Sequence, residues 1–227
     1  MASNKNENQE QNAVEKINSN LTSASEKIAN NRKVIFWVVG GIAVVAAFIL
    51  SYVFIFRNPK LNNAAEAFNQ VEITAMGNDS IMAAEYKKVA DKYSGTDSGE
   101  LAALAAAESF YNNGKYKEAL DCLDGFSTSE PVLGANALVL KGDCYVNLKK
   151  YDDALDAYRK AVKKIGVNIQ VVPRVLMKEA NVYDEQKKYD KALECYETIV
   201  KDYPTFEPGN GVGMDAYVAR EKARLGK

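Results

Sequence analysis

Few residues in this 227-residue chain are able to do chemistry, and their spacing points away from catalysis. Histidine is absent, which removes the commonest metal ligand and the usual proton carrier near neutral pH. Three cysteines remain, Cys122, Cys144 and Cys195, at intervals of 22 and 51 residues. Neither interval matches a zinc or dithiol motif, and an odd number cannot close into a full set of disulfides. They read as small, buried apolar side chains. The acids Asp152 and Asp153, and likewise Asp184 and Glu185, are adjacent and so diverge around a helix, leaving no carboxylate couple aimed at one point. Neither serine nor cysteine has a histidine to activate it. Gly209-Asn210-Gly211-Val212-Gly213 has the glycine content of a phosphate loop, but it follows no strand and lacks the Gly-Lys-Ser/Thr ending, so it reads as a linker. No enzyme activity, metal or cofactor is expected. From Pro59 onward, 23 basic residues are interspersed with 26 acidic ones, so no basic field exists to hold nucleic acid.

The elements that position these residues are repeats. Lys115-Tyr116-Lys117-Glu118-Ala119-Leu120-Asp121 is followed by Lys150-Tyr151-Asp152-Asp153-Ala154-Leu155-Asp156 and then by Lys188-Tyr189-Asp190-Lys191-Ala192-Leu193-Glu194. The periods are 35 and 38 residues. Six residues before each tyrosine stands a ring (Phe110, Tyr145, Tyr183), and three before that a small residue (Ala107, Gly142, Ala180). This resembles the tetratricopeptide repeat, a helix-turn-helix unit of about 34 residues. Tyr158 and Tyr196 supply the aromatic that the pattern asks for four residues after the alanine, while Leu123 replaces it in the first copy. Ala161 matches the next small position, Phe126 and Ile199 depart from it, and Pro204 stands where second helices often end. The small residues let paired helices approach, and the rings fill the space between pairs. The expected packing set is therefore Ala107, Phe110, Tyr116, Ala119, Gly142, Tyr145, Tyr151, Ala154, Tyr158, Ala161, Ala180, Tyr183, Tyr189, Ala192, Tyr196 and Pro204.

Met82 to Tyr93 echoes Cys195 to Tyr203 and reads as a divergent first unit. The resemblance implies an all-α fold: a right-handed helical solenoid of about four repeats (62–97, 100–133, 135–168, 173–206) within residues 62–227. A polar helix over about 215–225 would close its end. It also implies a groove lined by the first helix of each repeat. Carried over, the groove residues are Leu101, Leu104, Glu108, Tyr111 and Asn112; then Asn136, Val139, Asp143, Val146 and Asn147; then Arg174, Met177, Asn181, Asp184 and Glu185. Arg174 and Asn181 alone do not make a clamp for a terminal carboxylate. An apolar or mildly basic peptide segment is the expected ligand.

The remaining organisation is set by residues 34–56, which contain no charge. Twenty-odd helical residues cross a hydrocarbon core of about 30 Å. The stretch is too long for a cleaved leader and reads as a signal anchor, with 57–61 as a linker. Ahead of it, residues 1–33 form a polar head in which Val14, Ile17, Leu21, Ala24 and Ile28 make a short helical stripe. That stripe suits either a partner helix or a lipid surface. Ala43, Ala47 and Ser51 form a strip of small residues that would admit a second helix, although such residues are common in spans. Lys16, Lys27, Arg32 and Lys33 precede the span and only Arg57 and Lys60 follow closely, which places the head in the cytoplasm.

The whole arrangement resembles the bacterial membrane-anchored tetratricopeptide proteins of the YfgM type. That resemblance implies a non-enzymatic accessory of the Sec translocon or of periplasmic chaperones, anchored in the inner membrane with its repeats in the periplasm. Two other readings stay open: a self-associating envelope scaffold, and a cytosol-facing docking receptor with reversed topology.

Overall fold

The computed structural model describes residues 22, 32–75, 78–209 and 211–227. The expected stripe of Val14, Ile17, Leu21, Ala24 and Ile28 lies outside them; Thr22 is helical. Helix α1, Arg32–Tyr52, runs into a π-helical turn, Val53–Arg57. Its large side chains stand exposed, Trp37 at 78% and Phe48 at 73%. Among the described residues it begins the one helical stretch long and apolar enough to cross a membrane. The expected linker at 57–61 is helical instead. Arg57 ends the π-turn and the next residues open α2, Asn58–Thr74. Asn58 N–H donates to Val53 O, five residues back, just before Pro59, which has no N–H to give.

From Lys60 onward the chain is all helix and turn among the described residues. After α2 come α3 (Asp79–Lys92), α4 (Asp97–Asn112), α5 (Tyr116–Asp124) and α6 (Pro131–Asn147). Then follow α7 (Tyr151–Ile165), α8 (Val171–Glu185), α9 (Tyr189–Asp202) and α10 (Met214–Arg224). From α3 onward each helix packs on the next, and α4 also meets α6, so successive first helices share one face. This is a tetratricopeptide-type solenoid.

Local chemistry explains several of the boundaries. Thr96 caps α4: its Oγ1 accepts from Gly99 N–H at 3.0 Å. Asn78 does the same for α3 through Ile81 N–H, and Pro131 opens α6 where a missing N–H costs nothing. The turns at Gly114, Lys149 and Lys187 are copies of one another. Each central residue has positive φ, between 58° and 73°. The N–H groups of Lys115, Lys150 and Lys188 reach back to Phe110, Tyr145 and Tyr183 O at 2.8–2.9 Å. That six-to-one bond, with the left-handed residue before it, is a Schellman motif. Gly99 lies inside α4. A Cβ there would stand 2.2 Å from Tyr93 O, so glycine is needed for close approach rather than for a bend.

The core falls into two clusters, one from Ala64 to Cys144 and a second from Ala154 to Met214, with Tyr145 packed against both. Ala107, Ala119, Ala154, Ala161, Ala180 and Ala192 have no exposed surface, and Tyr158 and Tyr196 almost none. Gly142 is among the tightest contacts: a Cβ added there would lie 2.3 Å from Tyr158 Cε1. Phe110, Tyr116, Tyr145, Tyr151 and Tyr189 are half-buried, and Tyr183 is buried. Pro204 departs from the expected packing set. It is exposed just beyond α9, because its use is to stop the helix rather than to fill space. Cys122, Cys144 and Cys195 are buried and free, and burial pushes the Cys144 and Cys195 thiols up to about 12. They are protonated at neutral pH.

Candidate functional site

The first helices place Tyr111, Asp143, Val146, Asn147, Asn181 and Glu185 around one cleft of about 250 Å³. These six come from α4, α6 and α8 and were all expected on the groove. Three further residues line the cleft that the repeat pattern did not mark as groove: Tyr158, Lys178 and Val182.

A polar ladder forms its floor. Tyr158 Oη donates to Asp143 Oδ1 at 2.6 Å. Lys178 Nζ bridges both oxygens of Asp143 at 2.9 Å. The next repeat uses the matched positions. Tyr196 Oη donates to Asn181 Oδ1 at 3.2 Å, and Arg220 of α10 donates to Tyr196 Oη at 3.2 Å. A ring on the second helix thus meets a polar group on the first and a cation on the following helix. The ladder starts at Asp143 because Leu123, where the hydroxyl would be, is an apolar core residue. Burial, with the Asp143 charge adding to it, pushes the Tyr158 phenol up, so the ring keeps its proton and remains a donor. Asn147 Nδ2 links the wall, reaching Tyr111 Oη at 3.3 Å and Asp143 O at 2.9 Å.

Other expected groove residues lie elsewhere. Leu104 is 6% exposed and belongs to the core, because its face of α4 packs inward. It is withdrawn from the groove. Leu101 lines a separate cleft with Thr96, Ser127 and Leu133. Val139 and Met177 are half-buried against the second core cluster. Glu108, Asn112, Asn136 and Arg174 are exposed. Asp184 is committed to the closing helix: Arg220 donates to it at 2.7 Å and Arg224 pairs with it at 3.2 Å. Burial first, then the neighbouring Glu221 carboxylate, hold its pKa above the usual range.

The fold and cleft define the class as a tetratricopeptide-type interaction module, a surface for proteins or peptides. The comparisons agree at that level. A family model described as tetratricopeptide repeat matches residues 173–206, and one described as anaphase-promoting complex, cyclosome, subunit 3 matches residues 79–161. A crystal structure of MamA protein is similar with a TM-score of 0.56 and 20% identity, over 74% of this chain and 83% of that one. A second MamA crystal structure gives 0.53 and 21%, over 66% and 80%. At that identity the likeness concerns the fold. A comparison with curated protein sequences gives no match.

Proposed function

We propose that this chain is a membrane-anchored, non-enzymatic module that holds an extended or helical protein segment in the α4–α6–α8 cleft. One observation carries the reading. The cleft floor is already satisfied by the Asp143–Lys178–Tyr158 contacts, while Tyr111, Asn147, Asn181 and Glu185 face its open space. A site with a rigid floor and a polar rim binds without first ordering itself. Among the described residues Lys178 is the one cation lining the cleft, and Asp143 already pairs with it. A terminal carboxylate therefore finds no uncommitted positive partner in that lining. Glu185 in the cleft lining favours a mildly basic or apolar segment.

Lys16, Lys27, Arg32 and Lys33 precede the uncharged residues 34–56 and only Arg57 and Lys60 closely follow them, which supports a cytoplasmic head and repeats beyond the inner membrane. There the module would serve exported chains beside the Sec translocon or envelope chaperones. The anchor raises its local concentration at the membrane without any new contact. The test is photocrosslinking in intact cells from Tyr111, Val146 or Asn181, replaced one at a time by a photoreactive residue. Exported chains, translocon subunits or envelope chaperones are the expected captures. Cytosolic proteins would reverse the topology and make the chain a docking receptor. Capture of its own copies alone would make it a scaffold.

A further inference from the structure

A second cleft, of about 310 Å³, opens between α7, α8 and α9. Its character is clear from the junctions on either side of it. Asp124 of α5 pairs with Lys141 of α6. Glu197 of α9 pairs with Lys222 of α10 at 2.9 Å. At the junction between these two, the matched positions are Arg159 and Glu179, with the charges exchanged. Here the pair is not closed. Arg159 Nη2 donates instead to Tyr183 Oη at 2.6 Å. Lys191 is parked over the same ring, 5.6 Å from its centroid.

Glu179 is left 6% exposed, lining the cleft, with no hydrogen bond or ion pair among the described residues. Burial pushes its carboxyl up to about 7, and the Arg159 charge offsets this only in part. Natural proteins rarely keep a buried carboxyl without a partner, because desolvation is then uncompensated.

We propose that this cleft is a binding site for a lysine side chain presented by a partner protein. Leu176 and Cys195 form apolar walls suited to a methylene stem, and Glu179 waits at depth for the ammonium. Glu194 lines the same cleft and gives the incoming cation a second carboxylate. Lys141 shows the arrangement inside this chain: its side chain, 25% exposed, lies along a repeat junction and ends on Asp124. The site is separate from the α4–α6–α8 cleft, so either stands if the other fails.

The test uses the full-length protein in detergent and two probes, Nα-acetyl-lysine N-methylamide and its Nε-acetylated form. The ¹³C carboxyl resonance of Glu179, assigned through Glu179→Gln, is followed against pH with and without probe. The lysine probe is expected to bind saturably and to lower the Glu179 midpoint. The acetylated probe is expected to do neither, and Glu179→Gln to weaken lysine binding about tenfold, the equivalent of one lost charge-assisted contact. Equal binding of both probes, or binding unchanged by Glu179→Gln, overturns the proposal. So does a Glu179 that titrates in the ordinary carboxylate range without probe, which would mean that Arg159 closes the pair as at the neighbouring junctions.

Discussion

Asp143 and Glu179 are both acids held where the third helix pair meets the fourth, and the fold treats them oppositely. Asp143, 18% exposed at its side chain, receives Tyr158 and Lys178 at 2.6–2.9 Å. Glu179, 6% exposed, receives no donor among the described residues. Asp143 is half-buried and Glu179 buried, and what each carboxylate costs depends on the donors around it as well as on its burial. The comparison also separates two uses of polar residues. The Asp143 contacts stiffen the floor of the α4–α6–α8 cleft. The unmet carboxylate of Glu179 is open to a donor from outside the chain.

The largest expected effect comes from the contact on which the Asp143 side depends. In Gly142→Val the new side chain would collide with the Tyr158 ring, whose Cε1 would lie 2.3 Å from the first added carbon alone. We expect a loss of about 3 kcal/mol in urea unfolding of the repeat domain, the upper range for overpacking a filled core. Loss of the cleft's crosslinks should accompany it.

The paired substitutions Asp143→Ala and Glu179→Leu address the contrast directly, and their signs should be opposite. Removing Asp143 strands the buried Tyr158 hydroxyl, while Lys178, 40% exposed, turns partly to water. The expected cost is about 2 kcal/mol at neutral pH. Glu179 has its folded pKa raised from 4.5 to about 7, so the folded state holds the proton more tightly than the unfolded one. Its contribution is most favourable at acid pH and is lost as pH rises through 7. Glu179→Leu should therefore stabilise by about 1–2 kcal/mol in mild alkali, with the gain shrinking toward pH 5. Thermal melts across pH read this; a gain independent of pH would show that Glu179 is already paired.

The smallest effect sharpens the comparison between repeats. Lys149 and Lys187 occupy the left-handed position that Gly114 fills in the earlier copy. Lys149→Gly should raise stability by about 1 kcal/mol, the cost a side chain carries in that conformation, measured by the shift in the urea midpoint. The same change at Lys187 should match it.

Much of this was legible in the residues, for reasons that can be named. Tyr116, Tyr151 and Tyr189 open second helices, and the alanines that accompany the rings lie at zero exposure, because both follow from short-range spacing. Six groove positions met in one cleft for the same reason. Leu104 did not, because an apolar residue on a first helix serves the core or the groove depending on which neighbour it turns to. Lys178 was passed over because its position in the previous repeat is Leu140, so the pattern carried no signal for a cation. Leu123, by contrast, stood openly where Tyr158 and Tyr196 would be expected, and it marks where the ladder begins.

The sequence by itself determined the helical periods, the repeated breaks between first and second helices, and an apolar stretch long enough for a bilayer. These depend on residues within a turn or two of each other, or on length alone. Only the tertiary structure decided that Asp184 belongs to the closing helix, that Lys178 pairs with Asp143, and that Arg159 turns to Tyr183 and leaves Glu179 unpaired among the described residues. Those choices are made between side chains some 20 to 40 positions apart, where several partners are within reach and packing selects one.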